Sequence, residues 1–242
     1  MSAGRRRSLL APSLAALIAL AILIGLGTWQ LERKAWKEGL IDTLTRRVSA
    51  EPIDLPTPAQ WPRLEAADAE FRRVRVRGEF LNDREALVYT SGSAFRSDSS
   101  KPGRWVFTPM QVGDGVVMVN RGYVPEGRQD AKTRAEGQVA ITGALRWPEQ
   151  RGMLTPRDDP ARNLWFARDP AAIAAGKGLS SVAPFYIEQE APVPPGSLPH
   201  PSALTVNLRN DHLQYALTWF GLAAVLVAVF AFWVRSRRRA DA

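Results

Sequence analysis

The sequence predicts an α+β membrane protein, with two transmembrane helices flanking a mainly antiparallel β extramembrane domain that carries minor helix. Three observations carry that class. Leu9 to Leu31 and Leu213 to Val234 are apolar runs without one charged residue. Period-two alternation marks the stretch between them, most clearly in Phe71 to Phe80, where Val74 and Val76 alternate with Arg73, Arg75 and Arg77. Proline-rich segments at 51–62 and 191–201 close off that middle on both sides.

A spanning helix needs about 20 mostly apolar residues, and both runs exceed that. Arg5, Arg6 and Arg7 ahead of the first run, with Gly25-Leu26-Gly27 near its end, imitate a cleavable export signal. The run is nevertheless longer than the roughly 7–15 residues such signals use, which favours a retained anchor. The organisation expected is a cytoplasmic N-terminus (1–8), a first transmembrane helix (9–31), a membrane-proximal helix and Pro-rich linker (32–62), and a β-rich periplasmic domain (63–190). A second Pro-rich linker (191–211), a second transmembrane helix (212–234) and a basic cytoplasmic tail (235–242) follow.

The proline segments read as linkers, because proline lacks a donor and biases its predecessor to extended geometry. Strands are expected at 71–80, 86–90, 105–112, 115–119, 139–145 and 185–188, with Asp114-Gly115 as a hairpin turn. One short helix fits Pro170 to Ala175, capped by Asp169 and ended by Gly176. Polar loops at Ser91–Lys101 and Glu126–Glu136 could meet a partner.

The net charge is +8, but three arginines before the first span and four after the second, less Asp241, account for +6, leaving +2 for everything between. Membrane-proximal arginine holds anionic lipid, so the reading is membrane lipid and no nucleic acid. Two spans force both termini to one side, and basic tails place that side in the cytoplasm. The short leader, without an amphipathic presequence, favours a bacterial plasma (inner) membrane.

The chain has no cysteine and only two histidines, His200 and His212. That excludes disulfides, thiolate metal sites and cysteine nucleophiles, and no hydrolase, phosphate-loop or zinc-protease motif is present. The expectation is no enzyme and no catalytic residue.

Four segments carry a family resemblance. Gly27-Thr28-Trp29-Gln30-Leu31-Glu32-Arg33-Lys34-Ala35-Trp36-Lys37 is similar to the Gly-x-Trp-Gln-x-x-Arg-x-x-Trp-Lys signature of the surfeit locus protein 1 family. Asn120-Arg121-Gly122-Tyr123-Val124-Pro125 resembles its Asn-Arg-Gly-Trp-Val-Pro, and Asp159-Pro160 with Asn163, Trp165 and Asp169 resembles a further motif. Asn210-Asp211-His212-Leu213-Gln214-Tyr215-Ala216-Leu217-Thr218-Trp219 is similar to its Asn-Asn-His-Leu-x-Tyr-Ala-x-Thr-Trp. Asp211 in place of the second Asn and Tyr123 in place of Trp are the departures. Asp211 is either a neutral exchange or a source of extra imidazole basicity.

The resemblance implies an assembly factor for cytochrome c oxidase that binds haem a, with His212 as iron ligand, and assists haem insertion into the catalytic subunit. Oxidase subunit I and haem a synthase are the implied partners. The alternative is a membrane scaffold that recruits or stabilises oxidase subunits through its periplasmic domain and binds no cofactor.

Residue chemistry leaves both open. A neutral imidazole is a common axial ligand, and a porphyrin also wants an apolar slot and cations for its propionates. On a continuous helix Arg209, His212, Tyr215 and Trp219 share one face, as do Trp29, Arg33 and Trp36 on the first helix, so two meeting faces would make an aromatic box. The same residues also read as an interfacial aromatic belt with snorkelling arginine. Gly221, Ala224 and Ala228 could allow close helix packing. Arg121 reads as a surface ion-pair member, Gly122 as a turn, Trp165 as core and His200 as a solvated loop residue.

Overall fold

The computed structural model describes residues 9–91, 101–129, 132–190, 197–201, 206 and 208–240. The N-terminal tail, most of the first polar loop, two residues of the second and most of the second proline segment therefore lie outside the described residues. The described chain forms two compact units, a helix pair with residues up to Thr43 and from Asn207, and a domain from Leu44 to Val206.

In the helix pair, α1 runs Leu10–Ser49 and α4 runs His212–Ala240. At 1.5 Å per residue, α1 is about 60 Å long, twice the hydrocarbon thickness of a bilayer. Its apolar half is long enough to cross a membrane, and its last turns belong to the domain. Only 6% of the apolar window of either helix is buried. A soluble protein would bury such faces, and a cleavable leader could account for α1 alone, so the exposed apolar surface of both helices fits membrane association.

The helices pack through residues spaced three and four apart. A side chain at Gly27 would put its Cβ 2.6 Å from Phe220 Cε1, so glycine there lets the ring approach the α1 backbone. Ala216 and Ala223 flank Phe220 on α4 and are buried, whereas the expected small stripe of Gly221, Ala224 and Ala228 is exposed. Thr28 and Thr218 satisfy their hydroxyls on carbonyls of their own helices, three or four residues back.

The domain is a small β-barrel. Its strands are β1 (Ile53–Asp54), β2 (Arg73–Phe80), β3 (Ala86–Thr90), β4 (Gly103–Val112), β5 (Gly115–Pro125), β6 (Gln138–Arg146), β7 (Leu164–Trp165) and β8 (Val182–Gln189). Their order is β1-β2-β6-β8-β5-β4-β3-β7, and an extra pairing of Glu79 and Phe80 with Gln111 and Met110 joins β2 to β4 and closes the ring. Most pairings are antiparallel, but β1–β2, β3–β7 and β5–β8 are parallel.

Alternation works as expected in β2: Val74, Val76 and Phe80 point inward to meet Met110, Val117, Val119, Phe185 and Ile187. β5 is buried on both faces, because Met118 and Tyr123 enter a second cluster with Trp105, Phe107, Tyr186, Trp165 and Ile173. Helix α3 (Pro170–Lys177) covers that cluster, and the four-residue α2 (Ala66–Ala69) precedes β2. Asp169 caps α3 by accepting from Ala171 N–H and Ala172 N–H, as the sequence implies.

Several local expectations are corrected. Gly176 lies within α3, where a Cβ would come 2.4 Å from Trp165 Cη2, and Gly178 at φ +64° ends the helix. The first proline segment is not a simple linker: its 3-10 turn, Pro58–Arg63, places Trp61 in the core, edge-on to Phe185 at 5.9 Å between ring centres, with Nε1–H donating to Pro56 O. Proline restricts the backbone of such a segment without stopping its side chains from packing. Gly122 is not a turn but a strand residue at φ +124° where another segment crosses, since a Cβ there would lie 2.0 Å from His200 O. The His200 backbone exchanges two hydrogen bonds with Tyr123 (2.7 and 2.8 Å), while its side chain is exposed.

Candidate functional site

The first turn of α4 holds the residues of interest. The helix begins at His212, so Arg209 precedes it and does not share the face of His212, Tyr215 and Trp219. Arg209 instead donates to Asp211 Oδ2 at 2.5 Å, and both side chains are substantially exposed. Asn210 Nδ2 reaches Lys34 O on α1 at 3.5 Å.

His212 is half-buried, and its Nδ1 lies 2.7 Å from Gln30 Oε1 on α1. An amide oxygen only accepts, so with the Gln30 amide in this orientation Nδ1 donates the hydrogen bond, and in the neutral ring the lone pair is then on Nε2. This is the tautomer a ligating histidine presents when its other ring nitrogen is anchored. Gln30 is the residue that sequence reasoning passed over. It lies in the Trp29-Gln30 motif, three residues after Gly27 and thus on the packing face, and that spacing was the available signal.

The rings do not assemble into the anticipated box. Trp29 is exposed, Tyr215 is 55% exposed and Trp219 is half-buried. Arg33 stacks on Trp36, 4.4 Å from the ring centre. Among the described residues no ring contact joins Trp29, Trp36, Tyr215 and Trp219. The structure brings together His212 with Gln30, Arg209 with Asp211 and Arg33 with Trp36. It leaves Trp29 and Tyr215 facing outward. An open groove lined by Asp211, Leu213, Gln214, Leu217 and Thr218 runs beside His212 without including it.

Among the described residues no three His, Asp or Glu side chains converge, so His212 and its surroundings offer a metal at most two such protein donors. Such a donor set fits iron already held in a macrocycle and not a bare ion, which needs several protein ligands.

The second motif lies in the barrel and is structural in detail. Arg121 is not a surface ion-pair member but is buried over the Phe80 ring, 4.9 Å from its centre, and donates to Thr133 O at 2.9 Å. Burial pushes its pKa down, opposed by the carboxylate of Glu85. Glu85 is itself buried and ion-paired with Lys132. Tyr123 donates its hydroxyl to Lys101 O and Pro102 O. Trp165 is core, as its neighbours in sequence suggest. On another part of the barrel, Glu188 is buried between Arg146 (3.2 Å) and Arg168 (3.9 Å).

The SURF1 family model matches residues 17–224, which take in most of α1, the whole barrel and the first part of α4. Surfeit locus protein 1 of Rattus norvegicus is 36% identical over 219 residues, 84% of this chain and 69% of the relative. The Homo sapiens protein of that name is 37% identical over 218 residues, 83% of this chain and 70% of the relative. A SURF1-like protein of Monosiga brevicollis is 37% identical over 227 residues, 87% of this chain and 83% of the relative. With the family model matching most of the chain and relatives 36–37% identical over 83–87% of it, the chain belongs to the surfeit locus protein 1 family.

Proposed function

We propose that this protein is an assembly factor for cytochrome c oxidase that takes haem a as cargo at His212 and assists its insertion into the catalytic subunit. The observation that carries the reading is the His212 ring, anchored through Nδ1 on Gln30 with Nε2 left to donate. When bound, the haem iron would accept imidazole as an axial ligand. Trp29, Tyr215 and Trp219 would offer ring surface to the macrocycle, and the exposed Arg33 and Arg209 would offer charge to its propionates. Transfer needs binding and release, so no nucleophile is required and the protein is not an enzyme.

Oxidase subunit I and haem a synthase are the proposed partners, and a bacterial plasma membrane is the proposed location, with the barrel periplasmic and both termini cytoplasmic. The arginines at 235 and 237–239 support that orientation.

The test is complementation of a deletion strain with the parent or with His212→Ala, reading haem a per oxidase alongside haem a in the purified protein. The cargo reading predicts that His212→Ala inserts normally in the membrane, carries no haem and leaves the oxidase short of haem a. Full oxidase haem content with His212→Ala would favour a scaffold that works through the barrel.

A further inference from the structure

His212 is held by a neutral partner although its neighbour in sequence, Asp211, is a carboxylate. Ligating histidines commonly donate their second N–H to a carboxylate, a backbone carbonyl or water, which fixes the tautomer and raises the basicity of the ligating nitrogen. The adjacent carboxylate, Asp211, is instead engaged by Arg209, and an amide, Gln30, receives the Nδ1 proton. Gly27 and Phe220 set the distance at which this can happen. Gly27 lies one turn before Gln30, and its contact with the Phe220 ring keeps the two helix backbones close.

Resting on the cargo reading of His212, we propose that Gln30 is the positioning residue of the haem site. It fixes Nε2 as the ligating atom and, being uncharged, keeps the imidazole a weaker donor than a carboxylate-anchored one. A carrier that must hand its cargo on needs orientation without maximal affinity, and an amide supplies the first without adding to the second. Gln30 does not touch iron; it acts through His212.

The experiment uses the full-length protein in detergent with His200→Ala, so that His212 is the single histidine. Gln30→Ala and Gln30→Glu are compared with this parent by ¹⁵N chemical shifts of labelled histidine without haem, by titration with haemin at neutral pH, and by the reduction potential of the bound iron. The parent should show a protonated Nδ1 and an unprotonated Nε2. Gln30→Ala should give mixed tautomers and haemin binding weaker by about 10- to 100-fold. Gln30→Glu should bind more tightly than the parent, at a lower potential, because an anionic partner makes imidazole the stronger donor.

A purely structural role predicts instead that both variants lose affinity with no change in potential, and that result would overturn the proposal. So would an unaltered tautomer in Gln30→Ala. Binding that depends on His212 but ignores both Gln30 changes would overturn the positioning role alone. Haemin held equally by the parent and His212→Ala would overturn the cargo reading and the positioning role with it.

Discussion

Phe185 and Phe232 are one side chain in two solvents. Phe185 has no exposed surface and packs among Trp61, Trp147 and the inward valines of the barrel, while Phe232 on α4 is 75% exposed. The barrel gains its stability by removing such rings from water within its own fold. The helix pair presents its rings outward and relies on a surrounding apolar phase. In the barrel the buried charged side chains find partners within the fold, Arg121 on Thr133 O, Glu85 on Lys132 and Glu188 on two arginines. Thr108 Oγ1, Asn120 Nδ2 and Tyr186 Oη are buried there without a hydrogen-bond partner among the described residues. In the helix pair the polar groups around the first turn of α4 pair locally, His212 with Gln30 and Arg209 with Asp211, and the second pair is substantially exposed.

Core truncation should separate the two regions most widely. Phe185→Ala is expected to lower unfolding stability of the detergent-solubilised chain by about 3–5 kcal/mol, whereas Phe232→Ala should change it by less than about 0.5 kcal/mol. Equal losses in chemical denaturation would break the comparison. Next in size, Lys132→Ala strands the Glu85 carboxylate in the barrel wall and should cost about 3–5 kcal/mol, with much of that loss recovered in the double variant Lys132→Ala/Glu85→Gln.

Alkaline pH gives a similar but smaller effect, confined to the barrel. Burial pushes the Tyr186 hydroxyl up to about 12 from an ordinary 10.0. The folded state therefore favours the protonated phenol, and this contribution is complete below pH 10. It falls away as pH rises through about 12, for a loss of up to about 3 kcal/mol. Tyr186→Phe should flatten that pH dependence in tyrosine-absorbance-monitored unfolding, and an unchanged slope would contradict it.

Smallest in stability, yet the most informative for the helix pair, is Gly27→Leu. Its side chain must displace the Phe220 ring, separating Gln30 from His212 while the barrel unfolds at an unchanged midpoint. Loss of crosslinking between cysteines placed on the two packing faces would register the separation.

Much of the fold was legible because it is locally encoded. Uncharged runs announce the spans and Asp169-Pro170 announces α3, while Asp114-Gly115 marks the β4–β5 hairpin one residue late. The turn is Gly113-Asp114, with Gly113 at φ +59° and Gly115 already paired to Val112. The sequence allowed either an open sheet or a barrel and could not choose between them, since closure depends on two residues of β2 meeting β4 across a long separation. Trp61 was hidden inside a proline segment whose backbone argument was sound but silent about packing. Arg121 and Gly122 were misread because the sequence does not reveal that Thr133 and the His200 backbone return to lie against them. At the site, His212 stood out by chemistry and by family motif. Gln30 did not, because a neutral amide gains its meaning from the atom it faces.

The most direct test of the account is the visible absorption and pyridine-haemochrome spectrum of the detergent-purified parent and of His212→Ala, both made in cells that synthesise haem a. The account predicts a haem a band in the parent that is missing from His212→Ala at matched folding and yield. Stoichiometric haem a in both proteins, or in neither despite adequate supply, would contradict it.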